Sequence, residues 1–166
     1  MIKWNKTPYP STFIRLSDEL AKVRSKLSKD VYKEGTDKFR GNQEHSISQL
    51  GILGELIARY IMDSKKMNYT EAPLIDLNPV VEADIVIHND FGDDFFVDVK
   101  GVKSDAKHLR VNYNSHNNPR KNVTHYLFIQ TIDSTEARYC WATRKVVDVW
   151  DVEKSTYTDC YQVEIK

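Results

Sequence analysis

Asp98 and Lys100 are the residues of this 166-residue chain best placed for chemistry. They stand two apart in Phe95-Phe96-Val97-Asp98-Val99-Lys100, a run whose alternation predicts a β-strand. Both therefore project from one face while Val97 and Val99 point into a core. A carboxylate beside an ammonium at a strand end makes a hydrolytic pair: the carboxylate can hold a divalent cation, and the amine can orient or deprotonate a water. Asp84 stands on the preceding strand, Ala83-Asp84-Ile85-Val86-Ile87, across the turn Asn89-Asp90-Phe91-Gly92-Asp93-Asp94. Antiparallel pairing across that turn can bring Asp84 within reach of Asp98, although the sequence leaves the register open. Two oxygen ligands from neighbouring strands, completed by waters and a substrate phosphate, suit Mg2+, which rarely uses an all-protein cage. Glu55, on the polar stripe of an otherwise apolar helix, is a candidate third carboxylate.

Each of these residues also has a plain structural reading. With 29% of residues charged, Asp-x-Lys arises by chance, and Lys100 would then make a surface ion bridge with Asp98 worth little. Glu55 would pair with Arg59 one turn on, and Asp84 would make local turn bonds. The combination carries the argument, because a helix carboxylate followed by a hairpin with Asp on one strand and Asp-x-Lys on the other rarely arises together.

The elements that must position these residues follow from periodicity. Phe13, Leu16, Leu20, Val23 and Leu27 predict a helix over residues 11–31, and residues 35–42 read as a polar loop. Ile47, Leu50, Gly51, Gly54, Ile57, Ala58 and Ile61 share one side of a helix over residues 46–62. Leu53, Leu56 and Tyr60 widen the apolar surface, so this helix should be packed on two sides, with Gly51 and Gly54 admitting a close neighbour. Beyond Pro73 and Pro79 the pattern changes to period two and gives the hairpin. Residues 104–123 read as a polar loop or helix. Residues 126–130, with Tyr126-Leu127-Phe128-Ile129, are too apolar for a half-exposed strand and belong at a sheet centre. A fourth strand over 137–143 leads into a helix over 144–150, and residues 161–165 suggest a last edge strand. Gln130 could touch the site or serve as a hydrogen-bonded filler, and Cys140 reads as strand packing.

Composition bounds the class. Apolar residues make up 40% of the chain, and nine Tyr, six Phe and three Trp are too many for a disordered one. No apolar run approaches a bilayer span, and the first residues lack a signal-peptide core, so a cytoplasmic globular domain with no membrane partner is expected. Two cysteines are too few for a disulfide scaffold or a four-thiolate zinc site. His108, His116 and His125 have no zinc-site spacing, and His116-Asn117-Asn118 lacks the ββα finger of HNH nucleases. No Walker-type loop or serine elbow is present. Charge cancels in sum but not in distribution. Residues 46–99 hold three basic and ten acidic residues, whereas residues 100–125 hold six basic and one acidic. An acidic stretch followed by a basic one suits a site that holds cations and faces a phosphate backbone, although solvated surface charge is the bland alternative.

Gly51-Ile52-Leu53-Gly54-Glu55, Glu82-Ala83-Asp84-Ile85-Val86 and Val97-Asp98-Val99-Lys100-Gly101 together resemble the motif set of the PD-(D/E)xK nuclease superfamily. The chain has Asp in the last acidic position and Ala83, not Pro, before the first Asp. The resemblance runs from about residue 43 to 151 and extends to element order, with Cys140-Trp141-Ala142-Thr143 leading into a helix. Nearest are the small stand-alone nucleases of phages and restriction systems and the archaeal Holliday-junction resolvases. The resemblance implies a single α/β domain with a restriction-endonuclease-like core, a mixed four-stranded sheet flanked by helices, preceded by a helical segment over residues 11–42. It implies an endonuclease that hydrolyses DNA phosphodiester bonds with Mg2+, Mn2+ being a substitute. Asp84, Asp98 and the Val99 carbonyl would bind the ion, Lys100 would position the attacking water, and Glu55 would hold a second ion or a bound water. Lys103, Lys107, Arg110, Arg120 and Lys121 would grip the flanking backbone, contacts that position without reading sequence. The expected partner is double-stranded or branched DNA, cut by a homodimer with one site per strand. The rivals are an RNA-cleaving nuclease of the same fold and a nucleic-acid-binding module that kept the fold without catalysis.

Overall fold

The structure, a computed structural model, describes residues 2–31, 44–75, 83–154 and 158–165. The loop read over residues 35–42, Pro79, and Glu82 of the second motif lie outside them. In chain order the elements are β1 (Asn5–Pro8), α1 (Thr12–Val31), α2 (Glu44–Ser64), β2 (Tyr69–Glu71), β3 (Ile85–Ile87), β4 (Phe95–Val102), β5 (His108–Asn112), α3 (Tyr113–His116), β6 (His125–Thr131), β7 (Glu136–Thr143), α4 (Arg144–Val147), β8 (Asp151–Glu153) and β9 (Cys160–Glu164).

The architecture is mixed α/β. The main sheet runs β1-β7-β6-β4-β3-β2. The expected hairpin is β3 with β4, and the other expected strands are β6 and β7, so these four form the sheet centre. The β4–β6 pair is parallel and its neighbouring pairs are antiparallel. The sheet nevertheless has six strands rather than four, because β1 and β2 add to its edges. Neither edge strand carries apolar alternation: Asn5-Lys6-Thr7-Pro8 ends on a proline, which a sheet edge accommodates. β2 is three residues long.

A second sheet, β5-β9-β8, corrects two further expectations. Part of the polar stretch 104–123 is strand β5, where Leu109 and Val111 turn inward between exposed or half-exposed neighbours. The C-terminal strand is the centre of this sheet, not an edge. The helix expected over 144–150 stops at Val147; Thr143 caps its start by accepting the Val146 N–H at 3.3 Å, and the chain then turns into β8.

Both faces of the main sheet are covered, which is why Leu127, Phe128 and Ile129 on β6 are all buried. On one face α2 packs Ile57, Ala58 and Ile61 against Val97, Val99, Leu127 and Ile129. On the other, Tyr126, Phe128 and Val102 meet Leu109, Val111 and Tyr161 of the second sheet. α1 lies outside α2 through a third cluster, Ala21 with Ile52 and Leu56. Its inward face differs from the expected stripe: Ser17 and Ala21 are fully buried, whereas Leu16 and Val23 remain 43% and 47% exposed. Small side chains bring the two helices together where larger ones would hold them apart. No helix among the described residues is long and apolar enough to cross a membrane.

Candidate active site

The site lies just ahead of the first residue of β3. Ile85 pairs with Val97, so Asp84 falls opposite Asp98 at the first ladder position beyond β3. There the side chain takes over from the strand: Asp84 Oδ2 accepts the Val99 N–H at 2.6 Å. A strand residue presents its N–H and C=O to the same side, so the Val99 carbonyl also faces this edge. On the other side β4 is covered by β6 in a parallel ladder from Val97 to Val102.

Asp98 and Lys100 project to the face opposite Val97 and Val99. Asp98 is buried, and Lys100 Nζ stands 2.5 Å from its Oδ2 with the lysine side chain 30% exposed. Lys121 reaches the same carboxylate from the other side, its Nζ 3.6 Å from Oδ1. Burial pushes the Asp98 carboxyl up, but Lys100 and Lys121 outweigh it, and a hydrogen bond offered by Asp84 adds to them, leaving Asp98 below its ordinary value. Burial works against the Lys100 ammonium, yet Asp98, Asp84 and Glu55 more than offset it and hold Lys100 protonated well into the alkaline range. Lys100 is thus a hydrogen-bond donor in this arrangement. Asp84 is the opposite case: burial first, then the charges of Asp98 and Glu55, push its carboxyl from 3.8 up to about 7.

Glu55 reaches the site because α2 lies directly on β4. A Cβ added to Gly54 would stand 3.3 Å from the Gly101 backbone, so this close approach puts the next residue beside the strand, while Gly51 faces Arg24 of α1. Its carboxyl, 13% exposed, faces Arg24 of α1 at 3.6 Å. Arg59, the partner expected one turn on, instead binds Glu71 at 2.9 Å and the Ala72 carbonyl at 2.6 Å. Burial raises the Glu55 carboxyl above its ordinary value against the pull of Arg24 and Arg59.

Arg24 is the site residue that reading along the chain missed. Its signal was present: Ser17, Ala21 and Arg24 lie at i, i+4 and i+7, so a charge stands on the small-residue face of α1.

The structure therefore brings Glu55, Asp84, Asp98, Val99, Lys100 and Lys121 into one neighbourhood. It does not bring Arg110 there: this side chain lies on the outer side of β5, 2.9 Å from Glu153. Lys103, Lys107 and Arg120 are exposed. Gln130 is a staple, with Nε2 donating to the Lys103 carbonyl at 2.6 Å and Oε1 accepting from Arg138 at 2.7 Å. His116 is buried between the Tyr126 hydroxyl at 2.8 Å and Asp148 at 2.7 Å.

The arrangement fits a small, hard cation. Asp98 Oδ2 is buried with the Lys100 ammonium 2.5 Å away, and burial together with the charges of Asp98 and Glu55 pushes Asp84 up against the pull of Lys100. Among the described residues no group of three or more His, Cys, Asp or Glu side chains gathers as a metal cluster. Two carboxylates, Asp84 and Asp98, and the Val99 carbonyl could serve as oxygen donors, with Glu55 set apart beside Arg24, and such a sparse oxygen set would suit Mg2+. No family model, no curated protein and no solved structure matches this chain.

Proposed function

We propose that this protein is a metal-dependent endonuclease with a restriction-endonuclease-like core that hydrolyses DNA phosphodiester bonds at the uncovered edge of β4. The observation that carries the reading is the meeting of Asp84, Asp98 and the Val99 backbone just ahead of β3, with the Lys100 ammonium 2.5 Å from Asp98. Asp84, Asp98 and the Val99 carbonyl would hold Mg2+, or Mn2+ in its place. The bound ion would supply a positive charge against the scissile phosphate as negative charge gathers there.

The chain's own residues would do the rest. Lys100, kept as an ammonium by its carboxylate neighbours, donates a hydrogen bond to the attacking water and aims its lone pair at phosphorus. The water oxygen bonds to phosphorus, one P–O ester bond breaks, and a proton from that water ends on the departing oxygen, leaving a phosphate on one nucleotide and a hydroxyl on the other. Glu55 keeps a carboxylate at the margin of the site, anchored by Arg24. Lys103, Lys107 and Arg120 are free to meet the flanking backbone, a role that Arg110, already paired with Glu153, would fill only by leaving that partner. A homodimer would present one such edge to each strand of a duplex.

The test is cleavage of supercoiled plasmid by the purified chain with Mg2+, with Mn2+ and with EDTA, alongside Lys100→Ala and Asp98→Ala, repeated on branched DNA and on RNA. Metal-dependent nicking or linearisation lost in both variants is the expected result. Cleavage of RNA alone would move the substrate, and silence on all substrates would leave a nucleic-acid-binding module in place of an enzyme.

A further inference from the structure

Lys121 occupies a position that distance along the chain does not suggest. It stands 23 residues beyond Asp98, yet its Nζ lies 3.6 Å from Asp98 Oδ1, while Lys100 takes Oδ2 at 2.5 Å. The turn that presents it is pinned at several points. Arg144 donates to the carbonyls of Lys121 at 3.2 Å and Val123 at 3.4 Å, and also to the carbonyl of His116. His116 is itself locked between Tyr126 and Asp148, and the Lys121 N–H closes a turn onto the Asn118 carbonyl at 3.0 Å. The lysine side chain is 22% exposed. A lysine whose only task was to brush a passing backbone would not need its turn held this firmly beside a buried carboxylate.

Asp98 has two oxygens, and each already faces an ammonium. A dication arriving at this carboxylate meets two like charges, and the more loosely held one, at 3.6 Å, yields first. With its backbone still pinned, the displaced ammonium stays beside the site, where the nearest new anion is the substrate phosphate. We propose that Lys121 is a second lysine of the reaction centre, neutralising Asp98 while no cation is bound and turning to the scissile phosphate when one takes its place. This rests on the nuclease reading of the same edge.

The experiment separates the two ideas by measuring Mn2+ binding without nucleic acid, by calorimetry or by the electron spin resonance of free Mn2+, in the full chain and in Lys121→Gln and Lys121→Arg. Lys121→Gln should tighten Mn2+ by about threefold or more, the scale of removing a partly exposed charge partner. Lys121→Arg, which keeps the charge, should stay near wild type. At saturating DNA, Lys121→Gln should slow single-turnover cleavage about 100-fold, as loss of one transition-state donor does. Its DNA affinity in EDTA should stay within about threefold, the cost of one phosphate contact at most. Unchanged Mn2+ affinity in Lys121→Gln, with weakened DNA binding, would overturn the proposal and return Lys121 to the backbone contacts. A wild-type chain that binds no Mn2+ would overturn the nuclease reading itself.

Discussion

Asp84 Oδ2 takes the Val99 N–H at 2.6 Å, one residue past the point where β3 stops pairing with β4. A side chain thus replaces a strand, and it does so with a carboxyl group that can ionise. Asp84→Asn keeps an oxygen for the Val99 N–H and removes the repulsion with Asp98, so thermal stability in EDTA should hold or rise. Mn2+ affinity should fall at least about tenfold with the loss of a charged ligand. Asp84→Ala should lose the same affinity and, with the Val99 donor left unpaired, about 1–3 kcal/mol of stability as well. Calorimetry and urea melts of the two variants together separate the charge from the hydrogen bond.

Stability in EDTA should fall as pH rises from about 4 to about 7. In this window the unfolded chain has released the Asp84 proton, whereas the folded chain, with Asp84 pushed up to about 7, still holds it. Folding therefore binds a proton, and each step up in pH works against it until the folded carboxyl ionises. Glu55, raised by burial, acts with the same sign; Asp98, held low by its lysines, acts only below 3.8. His125, pushed below 6.5 by burial, opposes the slope, but it does so equally in wild type and in Asp84→Asn. The difference between their Tm-versus-pH curves isolates Asp84, and parallel curves would refute its raised state.

Gly101→Ala should destabilise the protein by about 1–3 kcal/mol, the range for overpacking a close contact. An added Cβ there would run into the Leu50 carbonyl of α2, and helix backbone gives way far less easily than a side-chain tip. Gly54→Ala, meeting the Gly101 backbone at 3.3 Å, should cost less. Urea midpoints of the two variants check the order, and a milder effect at Gly101 would mean that α2 does not rest on β4 as described.

How far the sequence reaches depends on how local each cause is. The β3–β4 hairpin, β6 and β7 were legible because covered faces write apolar runs, and α2 was legible because its apolar residues cover two sides and Gly54 admits a close neighbour. β5 did carry a signal, Leu109 and Val111 alternating with polar residues, but lysines and asparagines around it masked five residues of period two. β1 carried none, since its pairing is decided by the open side of β7. At the site, Asp84, Asp98 and Lys100 could be grouped because a hairpin joins them. Spacing puts Arg24 on the small-residue face of α1 but does not say that this face meets Glu55, and the approach of Lys121 depends on how the turn before β6 packs, which no spacing rule encodes.

The Arg24–Glu55 pair offers a test of that packing. At 3.6 Å, with side chains 28% and 13% exposed, it joins α1 to the helix that flanks the site. Arg24 also donates to the Leu74 carbonyl, so it ties α1 to the chain beyond β2 as well. Removing one member leaves the other partly buried and unpaired, which costs more than the pair is worth. Arg24→Leu should therefore lower stability by about 2–3 kcal/mol, with part of the loss coming from the carbonyl it abandons. Glu55→Gln alone should cost less, because the amide can still accept from the guanidinium. In the double variant Arg24→Leu/Glu55→Gln, the second change should recover about 1 kcal/mol of the first, since no uncompensated carboxylate remains. Thermal melts of the three variants complete the cycle, and strict additivity would mean that Arg24 and Glu55 do not sense one another.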